Sequence, residues 1–263
     1  MDADAQPDVD DLIAKLRPDT ILVCHMAVNN EFGSVYPIAK LARAVRANAP
    51  QALFHTDGVQ ALGKVELSLA SLGVHSLAVS AHKIHGPKGS GALILRPDVR
   101  PQPLWMGGGQ EQDVRSGTEN VAGIAGLGLA AELAETGRVE HCRHMTALRE
   151  VLRTQLSRIE GAEMLFEEGA SVSPAIAAVL LPGPPAEVWM HHLEERGVMT
   201  SVGSACHAKK SAVSPALIAL GLSEAQAKQV LRFSFCGRTE TAEVEQACAV
   251  LVELEASLCR PTR

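Results

Sequence analysis

The stretch Ser76-Leu-Ala-Val-Ser80-Ala-His-Lys83-Ile-His-Gly86-Pro-Lys-Gly89 decides the fold. Five small and apolar residues, Ser76 to Ser80, form a run suited to a buried strand. It ends directly on His82 and Lys83 and then on a Gly-Pro turn that cannot continue it. The same grammar appears on either side. Ile21 to Met26 is a short apolar run, Ala52 to Thr56 is another that ends at Asp57, and Gly91 to Leu95 is a further strand. Helical segments separate them. Val9, Leu12, Ile13 and Leu16 mark one face of a helix stopped by Pro18, and Pro37 opens a second with Ile38, Leu41 and Val45 on one side. Strands joined by helical crossovers predict an α/β fold with a mostly parallel sheet and helices on both faces. In such sheets ligands sit beyond the carboxyl ends of the strands. Asn30, Asp57, His82 and Lys83 all fall at that kind of position.

Further along, Gly107 to Asn120 has the composition of a functional loop, followed by a small-residue helix, about 121–134. A longer helix over about 139–159 carries Met145, Leu148, Val151, Leu152, Leu156 and Ile159 on its apolar side. After a Gly/Ser/Pro stretch at Gly169 to Pro174 the pattern changes. Strands are expected at Ala175 to Leu181, Val198 to Val202 and Leu231 to Phe235, with helices at Glu187 to Arg196 and Thr241 to Leu258. The predicted organisation is a cofactor-type domain over 1–135, then a linking helix and a smaller α+β domain over 136–263.

Composition narrows the function. The 263 residues carry a net charge of −6, 46% hydrophobic and 21% charged residues, ordinary for a soluble globular chain. No apolar run approaches the roughly 20 residues of a membrane span, so no membrane partner is expected. Mild acidity offers no footprint for nucleic acid. The acidic start lacks the apolar core of a secretory signal. Six widely spaced cysteines do not form a disulfide framework, so a reducing compartment is expected, cytoplasmic by default.

The residues that carry chemistry each have a plainer alternative. A lysine such as Lys83 in a partly desolvated pocket loses its proton and can form a Schiff base; otherwise it is a solvated strand-end lysine. Asp57, in His55-Thr-Asp-Gly-Val-Gln60, is placed to pair with the protonated pyridine nitrogen of pyridoxal phosphate, and Gln60 to donate to the ring's phenolic oxygen. The alternative for Asp57 is a cap on a short helix. Ser80 and His82 suit a phosphate or mark ordinary strand-end polarity. Asn29-Asn-Glu-Phe-Gly33 precedes a helix, or is a plain turn. Cys206, in Ser201-Val-Gly-Ser-Ala-Cys-His207, has Lys209 and Lys210 close by, and positive charge favours the thiolate. Cys24 and Cys248 fit buried inert thiols better. Arg232 suits a substrate carboxylate or a structural ion pair. His141, Cys142, His144, His191 and His192 offer ligand types without a complete metal spacing, so no metal is expected. Gly107-Gly-Gly lacks the order of a dinucleotide loop or P-loop.

Together these stretches, with Gly107-Gly-Gly-Gln-Glu111, Arg115-Ser-Gly-Thr-Glu-Asn120 and the run from His55 to Lys64, resemble the class V, fold-type I pyridoxal-phosphate enzymes, specifically the cysteine desulfurase and selenocysteine lyase family. The order and spacing match across essentially the whole chain. The resemblance implies that Lys83 holds the cofactor, Asp57 faces the pyridine nitrogen, Gln60 and Asn30 contact the ring oxygen, and Ser80 and His82 bind phosphate. It implies that Thr118 reaches the phosphate of a partner subunit, hence a homodimer. Asn30 and Arg232 would bind substrate, and Cys206 would take sulfur or selenium as a persulfide or selenosulfide while alanine leaves. An acceptor protein would then receive the atom, as in iron–sulfur cluster assembly. Cysteine and selenocysteine stay open as substrates, as does a non-catalytic remnant. The family has a longer front segment, with further strands, a phosphate loop and a histidine stacked on the ring. This chain is therefore expected to be the later part of such a protein, and any organellar address would sit in that front segment. Three departures stand out: Gly58 for a common alanine, Phe32 for an aliphatic residue, and a Gly-Arg pair one position late in Ser234-Phe-Cys-Gly-Arg238.

Overall fold

The structure is a computed structural model and describes residues 5–166, 171–203 and 213–259. The chain divides into two compact units: residues 9–28 with 37–138, and residues 1–8 and 29–36 with 139–263.

In the first unit, α1 (Val9–Lys15) leads to β1 (Leu22–Met26), α2 (Ile38–Asn48), β2 (Leu53–Asp57), α3 (Leu69–Leu72) and β3 (Ser76–Ser80). A 3-10 turn, Ala81–Ile84, β4 (Gly91–Leu95) and α4 (Val121–Thr136) complete it. The sheet order is β1-β2-β3-β4. The first three strands are parallel, as their helical connections require, and β4 returns antiparallel to β3 through the short Gly-Pro turn. The register matches Met26 with Asp57, Asp57 with Ala78, and Ser80 with Gly91. Side chains alternate across a strand, so Phe54, Thr56 and Leu77 share one buried face with the apolar side of α2, where Ile38, Leu41 and Val45 are buried. Leu22, Leu53 and Leu93 share the other face and are exposed. Cys24 lies on that open face and is exposed too, which corrects the expectation of a buried thiol: the run Leu22–Met26 is apolar on both sides, but only one side is packed.

Short α3 went unforeseen, yet its signals are ordinary. Ser68 Oγ accepts the Ser71 N–H at 3.4 Å, and Gly73 closes the turn at φ +67°, the left-handed conformation that glycine adopts at least cost.

The second unit contains α5 (Arg138–Leu156), β5 (Glu163–Met164), β6 (Ile176–Leu180), α6 (Ala186–Glu194), β7 (Ser201–Val202), α7 (Pro215–Ala219), α8 (Glu224–Lys228), β8 (Val230–Ser234) and α9 (Thr241–Leu258). Its antiparallel sheet runs β5-β6-β8-β7. Ala177, Val179, Leu231 and Phe233 face a core with Leu148 and Leu152 of α5, Trp189 and Leu193 of α6, and Leu251 of α9. The opposite face, through Ala178 and Val230, packs on Phe32, Phe166 and Leu217. Phe32 comes from early in the chain. The segment 29–36 is tied here by the Ser34–Val172 bridge and by the Val35 N–H donating to the Ser171 carbonyl at 2.8 Å.

Arg149 is a buried cation on the apolar side of α5. It donates to the Ile176 carbonyl and to Met164 Sδ at 3.5 Å, and burial lowers its pKa. Burial also pushes the Cys248 thiol up to about 11, so it stays protonated and inert.

Candidate active site

Two of the expected site residues meet at one end of the first unit's sheet. Asp57 ends β2 and Ser80 ends β3; Asp57 pairs in register with Ala78, two residues before Ser80, so both side chains leave the same face. They sit at the carboxyl ends of parallel strands, where backbone hydrogen bonding stops and polar side chains are freed for a ligand. The Asp57 carboxylate is held by the backbone that follows it. Its Oδ1 accepts the Val59 N–H at 2.8 Å in a tight Asx turn, and the residue is exposed. The expected short helix is absent here, and Asp57 caps a turn instead. The Gly58 N–H donates to the Ala78 carbonyl at 2.8 Å. A Cβ on Gly58 would stand 2.6 Å from Leu77 Cδ1, so the end of that leucine would have to turn aside for an alanine. Gln60 follows in the same turn, half-buried.

Ser80 Oγ and His82 Nδ1 are hydrogen-bonded at 2.8 Å. This bond fixes the imidazole beside the strand end. Lys83 occupies the 3-10 turn after β3. Its main-chain carbonyl accepts from Lys64 Nζ at 3.1 Å, and among the described residues its own ammonium has no carboxylate partner. The turn closes through the Gly86 N–H donating to Ala81 at 2.9 Å. A Cβ on Gly86 would lie 3.0 Å from Ala81 Cβ and 3.1 Å from Ala130 Cβ of α4, so any larger residue would push α4 back from the lysine turn by a few tenths of an ångström. Thr118 lies exposed in the loop before α4, whose N-cap is Asn120, its side chain accepting the Gly123 N–H at 3.1 Å.

The remaining expected residues lie in the second unit. Arg232 is on β8, on the sheet face that carries Val230, and its guanidinium donates to the Asn30 carbonyl at 2.7 Å. The turn around Asn30 is shaped by its neighbour: Asn29 Oδ1 accepts the Glu31 and Phe32 N–H groups at 2.8 and 3.1 Å. Sequence reasoning passed over Asn29, although an Asx residue before a turn is the usual signal for this role. Gly33, at φ +85°, would place a Cβ 3.1 Å from Ile176 Cβ. Phe32 is buried, with its ring centroid 5.8 Å from that of Phe166; this partner explains an aromatic residue there. The Gly-Arg pair at 237–238 lies in a packed turn. Gly237 lies against His141, where a Cβ would be 2.4 Å from Cδ2, and Thr239 Oγ1 accepts the Cys236 N–H at 3.1 Å. Cys206 lies outside the described residues. Among the described residues no three potential metal ligands come together, and no helix is long and apolar enough to cross a membrane.

The first unit is an α/β unit with an acid, a hydroxyl, an imidazole and a lysine at or just after its strand ends. The aminotransferase class-V family model matches residues 1–247, and the chain belongs to that family. It is 38% identical over 250 residues to a cysteine desulfurase of Trichormus azollae and 39% identical over 253 residues to one of Bradyrhizobium diazoefficiens. Each alignment covers 95% of this chain but 62% and 63% of those proteins. The chain therefore spans less than two thirds of the length of these relatives. Among solved structures, a NifS-like protein superposes with a TM-score of 0.90 at 32% identity, over 98% of this chain and 67% of that one. A NifS-like protein from Rickettsia africae gives 0.88 at 27% identity, over 97% and 68%.

Proposed function

We propose that this chain carries the lysine, acid and phosphate-binding groups of a pyridoxal-phosphate-dependent cysteine desulfurase. The observation that carries the reading is the common face and common sheet end of Asp57 and Ser80, with the Ser80–His82 pair and Lys83 immediately following. The donor set fits pyridoxal phosphate: a carboxylate for its ring nitrogen, a hydroxyl and an imidazole for its phosphate, and a primary amine for its carbonyl carbon. When bound, the cofactor supplies an electron sink that stabilises negative charge at the substrate's Cα.

The chain's own residues do the rest. Asp57, held in place by the Val59 N–H, keeps a negative charge facing the ring nitrogen. Gln60 donates to the ring oxygen. Ser80 and His82 anchor the phosphate, and Thr118 reaches the phosphate held by a second copy in a homodimer. Arg232 and Asn30 bind the substrate, the guanidinium taking its carboxylate. Lys83 Nζ removes the α-proton as a general base. The Cys206 thiolate attacks the substrate sulfur; the C–S bond breaks, its electron pair stays with Cβ, which takes a proton, and the proton held on Lys83 Nζ returns to Cα to complete alanine. Cys206 is left as a persulfide, which an acceptor thiol discharges.

Cysteine is the favoured substrate because the relatives named above are cysteine desulfurases. Turnover of cysteine and selenocysteine by the full-length protein decides between the desulfurase and lyase activities. Alanine release from cysteine, lost in Lys83→Ala and in Cys206→Ser, supports the proposal. Unchanged alanine release in both variants overturns it, and no alanine release from either amino acid by full-length, cofactor-loaded protein identifies a non-catalytic remnant.

A further inference from the structure

The first unit has a concave site at the end of its sheet opposite Asp57 and Ser80. A cavity of about 310 Å³ lies against the amino ends of β2 and β3. That is the low end of the range for small-molecule pockets. Val45 of α2 and Phe54 of β2 form its apolar wall, and Arg46, His75, Arg96 and Asp98 its polar side.

Hydrogen bonds set which polar atoms remain for a ligand. Arg46 spends one Nη2 donor on the Gly73 carbonyl at 2.9 Å and keeps others, since a guanidinium has five. Arg96 grips Asp98 through Nε and Nη2, at 2.9 and 2.6 Å, so the acid is occupied while the Nη1 side stays available. His75 Nδ1 accepts the Phe54 N–H at 2.9 Å. An imidazole accepting at Nδ1 carries its proton on Nε2, which leaves a donor. The cavity thus presents two cations and a neutral N–H donor against a single carboxylate that is already paired. Donors in excess, beside an apolar wall, select an anion with a short hydrocarbon body.

We propose that this pocket binds a small organic anion, a carboxylate or a phosphate ester. None of its groups belongs to the strand-end site of Asp57, Ser80 and Lys83, and the length of β2 and β3, about 16 Å at 3.3 Å per residue, separates the two.

The test is a titration of the full-length, cofactor-loaded protein with butyrate, butyl phosphate and the uncharged butyramide, followed by NMR at the Phe54 amide and the His75 ring. The Val59 amide, at the Asp57 end, serves as the remote reporter. Saturable shifts at Phe54 and His75 with either anion, without a shift at Val59 and without a response to butyramide, support the proposal. The anion that saturates at lower concentration tells a carboxylate ligand from a phosphate ester. Arg46→Gln and Arg96→Gln each weaken binding by about tenfold or more, the effect of losing one charge-assisted hydrogen bond. Lys40→Gln, which removes an exposed charge from the same helix, leaves it unchanged. The spectra themselves show whether a variant folds, and either arginine variant suffices. No saturation with either anion, an equal response to butyramide, or wild-type binding in a folded arginine variant overturns the proposal.

Discussion

The Arg232 guanidinium and the Asn30 carbonyl, 202 residues apart in sequence, are joined by a 2.7 Å hydrogen bond. One cation thereby fixes a turn that the proposed function places among the substrate-binding groups. Arg232→Lys keeps the charge but loses the planar fork. A charge-assisted bond contributes about 1.5–3 kcal/mol, so kcat/KM for cysteine should fall about 10- to 100-fold. The loss should appear mainly in KM, as steady-state alanine release would show.

Asp57 has two separable duties. Asp57→Asn keeps an oxygen for the Val59 N–H and removes the charge. Stability should change by less than about 0.5 kcal/mol, while turnover should fall about 30-fold through loss of a charge-assisted contact to the ring. Asp57→Ala should lose both, with a further destabilisation of about 1 kcal/mol for the missing cap. Urea denaturation alongside alanine release separates the two effects.

His75 makes stability depend on pH. Burial lowers its pKa below the ordinary 6.5, helped by Arg96 and by Arg46 on α2, while Asp98 opposes. The unfolded chain therefore takes up the proton first as pH falls. The stability His75 contributes is complete above about 6.5 and is lost as pH drops from there toward the lower native value. Protonation also removes the acceptor that Phe54 uses. His75→Asn, which offers an oxygen to the same N–H, should lose less stability than the wild type between about pH 7.5 and about pH 5.5. Urea midpoints at the two pH values measure this.

Periodic and local signals in the sequence carried much of this structure. The strands Ser76–Ser80 and Gly91–Leu95 and the helix Thr241–Leu258 have the bounds that their apolar patterns predict. The parallel-dominated α/β sheet follows from the alternation of these elements. What the pattern could not carry is long-range packing. Nothing local in Asn29 to Tyr36 shows that Phe32 seats against Phe166, or that Val35 bonds to Ser171. Cys24 reads as core because its run is apolar throughout, yet its side of β1 is open. Arg149 looks like a solvated helix residue and is buried, because the Ile176 carbonyl needs a donor. The short helices α7 and α8 leave too few residues for a periodicity, although Ser214 and the Ser223–Gln226 capping box mark their starts.

Lys83 is proposed as the cofactor lysine, and two other lysines lie close to it in sequence. Lys64 donates to the Lys83 carbonyl, and Lys88 follows in the next turn. The most direct measurement is borohydride reduction of the full-length protein incubated with pyridoxal phosphate, followed by peptide mapping by mass spectrometry. A pyridoxyl adduct on Lys83 is the expected result. An adduct on Lys64 or Lys88 instead, or none on Lys83, would contradict the account.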